Sequence, residues 1–160
     1  MTGPNHLVLW RHADAGEPLD DPGADFDRAL SRRGRRQAAA AAVWLDSLQL
    51  PDPVLVSSPA PRARRTALAF GVPRIDPRLA PQASLDELHD LIGSLDVEAA
   101  ILVGHQPAIG QLAARLLTGA SAPFVSISVP KGSAWWFVAR AGGAMRLQGM
   151  HANGRPASRE

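Results

Sequence analysis

A chain of 160 residues, 46% of them hydrophobic, has the length of one domain and enough apolar material for a real core. It contains no cysteine, which excludes disulfides, thiolate metal sites and thiol nucleophiles, and a formal net charge of +2 gives no reason to expect nucleic acid as a partner. No basic stretch leads into an apolar one at the amino terminus and no apolar run nears the length of a membrane span, so the expectation is a cytoplasmic monomer with no membrane contact.

In chain order, Leu7-Val8-Leu9-Trp10 is an unbroken apolar run that ends on Arg11 and His12. Such a run reads as a strand buried on both faces, and ligands of open α/β sheets collect beyond the carboxyl ends of such strands. Ser31 to Leu50, rich in alanine and carrying Val43, Trp44, Leu45 and Leu48, reads as the first helix, ended by Pro51-Asp52-Pro53. Val54-Leu55-Val56 is a second strand running into Ser57-Ser58-Pro59, and Pro61 opens a helix toward Gly71 with Arg62 in its first turn. A short strand from Pro73 to Pro77 follows. Ser84-Leu85-Asp86-Glu87 has the form of a capping box that opens a helix toward Gly93. A fourth strand, Ala99 to Val103, delivers Gly104-His105-Gln106-Pro107, and a helix from Pro107 to Leu117 stops at Gly119.

Phe124 to Val129, Ala134 to Ala139 and Ala144 to Gln148 read as strands in hairpins, with Trp135 and Trp136 pointing to opposite faces. The sum is a three-layer α/β/α sandwich with a mostly parallel central sheet and antiparallel carboxyl-terminal edge strands. One domain over residues 1–160 is expected, with 1–4 and 152–160 as loose tails.

Two arginines and two histidines, Arg11, His12, Arg62 and His105, thus follow three separate strand ends. Forked guanidinium donors match phosphate oxygens, and a neutral imidazole is a competent nucleophile toward phosphorus. Either histidine alone would read as a hydrogen-bonded core residue; beside two arginines that reading loses ground. A metal held by His12, Asp14 and His105 is disfavoured by the adjacent cations, so neither a metal nor another cofactor is expected. His6, His89 and His151 belong to no motif and read as surface residues.

These residues resemble the histidine phosphatase superfamily. Arg11-His12-Ala13 is similar to its Arg-His-Gly motif, Leu30-Ser31-Arg32-Arg33-Gly34 to its L-[ST]-x-x-G segment, and Ser58-Pro59-Ala60-Pro61-Arg62-Ala63-Arg64-Arg65-Thr66 to its S-P-x-x-R-A-x-x-T segment. Val103-Gly104-His105-Gln106-Pro107 resembles the segment with the second histidine. Within the superfamily the chain looks most like the short SixA-type phosphohistidine phosphatases, a likeness that extends to Asp27-Arg28-Ala29-Leu30, Leu79-Ala80-Pro81 and Lys131-Gly132. The resemblance implies that His12 is phosphorylated during turnover, that Arg11 and Arg62 hold phosphate, and that His105 contacts it. Ala13 departs from the pattern, and would add strain if its backbone needed positive φ.

Larger members of the superfamily place an acidic proton donor between the second arginine and the second histidine. Here residues 63–104 leave room for only a short strand and one helix, and Glu87, the nearest candidate acid, belongs to the capping box. Asp14, Glu17, Asp21 and Asp27 are further candidates. An alkoxide leaving group needs protonation, whereas a phosphorylated imidazole departs as neutral imidazole, whose conjugate acid has a pKa of about 6.5. The leading expectation is therefore a phosphatase that takes phosphohistidine from a protein partner. The alternatives are a phosphatase for small phosphate monoesters and a phosphate-binding module without turnover. Arg28 is a further candidate for substrate binding, and with the Arg32 to Arg36 cluster a candidate to dock an acidic protein surface.

Overall fold

The computed structural model describes residues 3–119, 126–142 and 144–153. Six strands form one sheet: β1 (His6–Arg11), β2 (Val54–Ser57), β3 (Arg74–Ile75), β4 (Ala99–Gly104), β5 (Ala134–Ala139) and β6 (Met145–His151). Their order across the sheet is β3-β2-β4-β1-β5-β6; the first four run parallel, and β5 is antiparallel to both of its neighbours. Among the described residues five helices accompany them: α1 (Pro22–Phe26), α2 (Arg32–Ser47), α3 (Pro61–Leu68), α4 (Leu85–Ser94) and α5 (Ala108–Thr118). This is the expected α/β/α sandwich with an antiparallel carboxyl-terminal edge.

The apolar run of β1 serves both layers. Leu7 and Leu9 join Leu88, Leu91, Ile109 and Leu112 beneath α4 and α5, while Val8 and Trp10 join Ala41, Leu45, Ala63 and Ala67 beneath α2 and α3. Central β4 is buried at every position, as a parallel strand covered on both faces must be. Alanines on α2 and α3 let these helices pack close to the sheet. Ser31 caps α2 through the Gly34 amide, the Ser84–Glu87 capping box is formed, and Gly119 ends α5 in the left-handed conformation at φ 62°.

Several expectations change. The strand expected at Phe124 to Val129 fails where it can be seen: Phe124 and Val125 lie outside the described residues, and 126–130 is not a strand. There Ile127 N–H donates to Gly110 O on α5 at 3.0 Å, so this segment pairs with a helix terminus rather than the sheet. The strand after Pro73 is only two residues long before a 3₁₀ turn at Pro77–Leu79. The carboxyl-terminal strand runs on to His151, and Asn153 donates to Lys131 O at 2.8 Å, so the chain is held one residue past the start of the expected tail. Residues 1–2 and 154–160 of the expected tails lie outside the described residues.

Both tryptophans of β5 are partly covered, Trp135 by the α4–α5 core and Trp136 by the α2–α3 core. The three histidines expected at the surface are half-buried. His6 accepts from Trp136 Nε1 at 3.3 Å and stacks on its ring, and His151 lies 5.9 Å from the Trp44 ring. Among the described residues no helix is long and apolar enough to cross a membrane.

Candidate active site

Three parallel strands end together. In register, Arg11 at the end of β1 faces Gly104 at the end of β4, and Ser57 at the end of β2 faces Val103. The residues just beyond, His12, Ser58 and His105, are therefore neighbours, and all three are buried. The His12 and His105 rings lie 5.0 Å apart between centroids. Arg62, buried in the first turn of α3, completes the group, its position set by Pro61 at the helix start.

Each side chain has its own support. His12 Nδ1 is 2.8 Å from Ala13 O; a carbonyl only accepts, so Nδ1 carries the proton and the Nε2 lone pair is left free. His105 Nε2 is 2.8 Å from Ser58 Oγ, which also accepts the Ala60 amide at 3.1 Å. Arg11 Nη1 donates to Val129 O at 2.8 Å. Arg62 Nη1 donates to the carbonyls of Asp25 and Phe26, at 3.2 and 3.4 Å, so α1 fixes one end of its fork. The Thr66 hydroxyl ties the two arms of the site together by donating to Arg62 O at 2.7 Å and accepting from the Ala13 amide at 2.9 Å.

Three buried nitrogens of this group lack a partner among the described residues: Arg11 Nε, Arg62 Nε and His105 Nδ1. Unsatisfied buried polar groups are costly, and their concentration around one imidazole singles out this group as the candidate site. Electrostatics agree. Burial first, and after it the charges of Arg62, Arg11 and Lys131, lower the His12 pKa to about 3, while the hydrogen bond to the Ala13 carbonyl, second in size to burial, pulls the other way. Burial, then His12, Arg62, Arg11 and Arg28, lower His105 to about 2. Both rings are neutral at pH 7, and both guanidiniums stay charged although burial lowers their pKa.

The loop after His12 is anchored by Asp14. Its carboxylate accepts the Ser31 hydroxyl at 2.5 Å and lies 3.6 Å from Lys131 Nζ, and the Ser31 bond leads the causes that hold its pKa below the usual carboxylate value. Gly34 is needed here: a Cβ on it would stand 1.9 Å from Asp14 O. Ala13 is not strained, because the non-glycine residues with positive φ are Gln49 and Asp52.

Arg28 stands beside the group. It pairs with Asp25 at 2.9 Å, donates to the carbonyls of Ala15 and Gly16, and its charge reaches both Arg62 and His105. Glu87 is engaged elsewhere, its carboxylate accepting the Ser84 amide at 2.7 Å on the exposed side of α4. Asp21 caps α1 by accepting from Ala24 N, Asp27 is an exposed residue at its other end, and Glu17 is exposed. Among the described residues no three His, Cys, Asp or Glu side chains are grouped to hold a metal ion.

Sequence reading missed α1, Ser58, Thr66 and the Asp14–Ser31–Lys131 contact as parts of the site. Asp21-Pro22, a cap followed by a first-turn proline, was a usable signal for α1. Ser58 and Thr66 are the first and last residues of the S-P-x-x-R-A-x-x-T segment, a usable signal for both, whereas the Asp14–Ser31–Lys131 contact joins residues far apart in the chain and leaves no spacing pattern.

Comparison with known proteins adds family context. The pattern of the histidine phosphatase superfamily, branch 1, matches residues 7–90. An uncharacterised protein of Mycobacterium tuberculosis is 38% identical over 110 residues, a match that spans 64% of this chain and 66% of that relative. A putative phosphohistidine phosphatase SixA from Agrobacterium tumefaciens superposes with a TM-score of 0.73 at 26% identity, covering 95% of this chain and 100% of that one. A mycobacterial glucosyl-3-phosphoglycerate phosphatase, in complex with VO3, superposes with a TM-score of 0.68 at 23% identity, covering 90% and 97%, and shares the fold.

Proposed function

The chain belongs to the histidine phosphatase superfamily, and from that premise we propose that it hydrolyses phosphohistidine on a protein partner through a phosphorylated His12. Phosphatase chemistry comes with the family; the substrate and the residue roles are our reading. The free Nε2 lone pair of His12 attacks phosphorus while Arg11, Arg62 and His105 Nδ1–H receive the equatorial oxygens. The P–N bond of the substrate breaks, its electrons return to the leaving nitrogen, and a ring protonated on its other nitrogen departs neutral. His12, keeping its Nδ1 proton against Ala13 O, is now a phospho-imidazolium. Water then attacks phosphorus, the Nε2–P bond breaks, and both water protons leave with the product as dihydrogen phosphate, restoring neutral His12.

One observation carries the choice of substrate. The candidate acids are engaged or exposed to solvent: Asp14 is held ionised by Ser31 and Lys131, Asp21 and Glu87 cap helices, and Asp27 and Glu17 are exposed. A site without a poised proton donor suits a leaving group that needs none.

The test compares a phosphohistidine protein with a panel of phosphate monoesters, using wild type and His12→Ala. Wild type is expected to favour phosphohistidine and to yield an acid-labile, alkali-stable phosphoenzyme that His12→Ala lacks. Full activity in His12→Ala would refute the mechanism. A preference for esters that disappears in Glu87→Gln would refute the substrate.

A further inference from the structure

Between α2 and α3 runs an open groove of about 360 Å³, lined by Leu30, Ala38, Leu68 and Ala69 with Arg35 and Arg65 on its edges. We propose that this groove docks an acidic, apolar-edged protein segment next to the phosphohistidine, an inference that rests on the phosphoprotein reading above.

Four observations support it. First, the groove adjoins the site: Leu30 and Ala38 pack on Ala13, the residue after His12, and Arg65 precedes the Thr66 that holds the Ala13 amide. Second, Leu68 is 55% exposed, so the apolar floor continues onto open surface. Third, Arg32, Arg33, Arg35, Arg36, Arg64 and Arg65 are all exposed, and none forms an ion pair among the described residues. Fourth, α2 carries four of these arginines in its first five residues with no acidic residue in its first turn. That is the positive end of the helix macrodipole, where cations cost stability and carboxylates are favoured. A partner that brings carboxylates satisfies the arginines and the helix end together, while its apolar side covers Leu68 and Ala69. A duplex offers charge but little to place on an apolar floor, which favours a protein.

Two synthetic helical peptides test this, each with one phosphohistidine, one flanked by glutamate and leucine and the other by glutamine and alanine; phosphoimidazole serves as the free donor. The wild-type chain is expected to favour the acidic peptide in kcat/KM by about tenfold or more at low salt, with the preference lost at high salt. Arg35→Glu/Arg65→Glu should abolish that preference through KM and leave phosphoimidazole hydrolysis unchanged, which also reports an intact fold. Equal losses on all three donors, or no preference in wild type, would overturn docking at this groove.

Anisotropy with the unphosphorylated acidic peptide separates this idea from the functional one. If esters alone are turned over, the substrate reading fails, and binding dependent on Arg35 and Arg65 still decides the groove. No binding would refute it, as would duplex DNA binding more tightly through the same arginines.

Discussion

Burying two neutral histidines makes the stability of this fold depend on pH in a way that can be calculated. In the folded chain His12 and His105 titrate at about 3 and about 2; in the unfolded chain both return to about 6.5. Between these limits the unfolded state binds more protons, so stability falls as pH falls. From pH 7.5 to 5.0 each ring costs about 2 kcal/mol, the free energy of protonating an unfolded imidazole that the folded site keeps neutral. The figure needs only a folded pKa well below 5, and both rings meet that condition. Together they remove about 4 kcal/mol, a large share of ordinary domain stability.

The carboxylates do not blur this window. Asp14, Asp25 and Asp76 have pKa values lowered by hydrogen bonds, so their contribution is complete above the unfolded carboxylate pKa and is lost only at more acid pH. His89 and His151, also lowered by burial, add in the same direction and remain in every variant. Urea unfolding of wild type, His12→Asn, His105→Asn and the double variant, in phosphate-free buffer from pH 7.5 to 5.0, measures the effect. Each single substitution should flatten the profile by about 2 kcal/mol and the pair by about 4. Identical profiles in wild type and double variant would refute the neutral, buried site.

Two further substitutions probe its supports. Gly34→Ala would force a methyl group against Asp14 O, a backbone atom that cannot swing aside, and should cost about 1–3 kcal/mol despite alanine's better helix propensity; a thermal midpoint equal to wild type would contradict the close approach. Ser58→Ala removes the hydroxyl beside His105 Nε2 and should lower kcat by roughly tenfold or more with little change in thermal stability, because the ring can then turn its donor away from substrate; unchanged kcat would show that Ser58 does not set the orientation of His105.

How much of this was legible in the sequence depends on the range of the interaction. The apolar run of β1 was readable because burial on both faces demands it, and Leu7 and Val8 do face opposite layers. Arg11 and His12 were readable because a strand end fixes where they emerge. The segment near Val129 misled: its local pattern suits a strand, but Gly110 O on α5 takes the Ile127 amide. Five-residue α1 is too short for periodicity, although it holds Arg62 through two carbonyls. Carbonyls belong to every residue, so such support leaves no mark in the sequence.

The same charges serve two states of the site. Arg11, Arg62 and Lys131 disfavour a fourth cation at His12 and so add to burial in keeping its Nε2 lone pair unprotonated. In the proposed reaction an arriving phosphoryl group would bring the opposite charge, offset those cations and make a positive ring tolerable with Nε2 bonded to phosphorus. Ala13 O fits both states, since it accepts the Nδ1 proton from neutral imidazole and from phospho-imidazolium alike. The proton on Nδ1 therefore need not move at any step. On the proposed mechanism, a fixed proton and compensating charge would let the reaction run without a dedicated acid, provided that the leaving group is itself an imidazole.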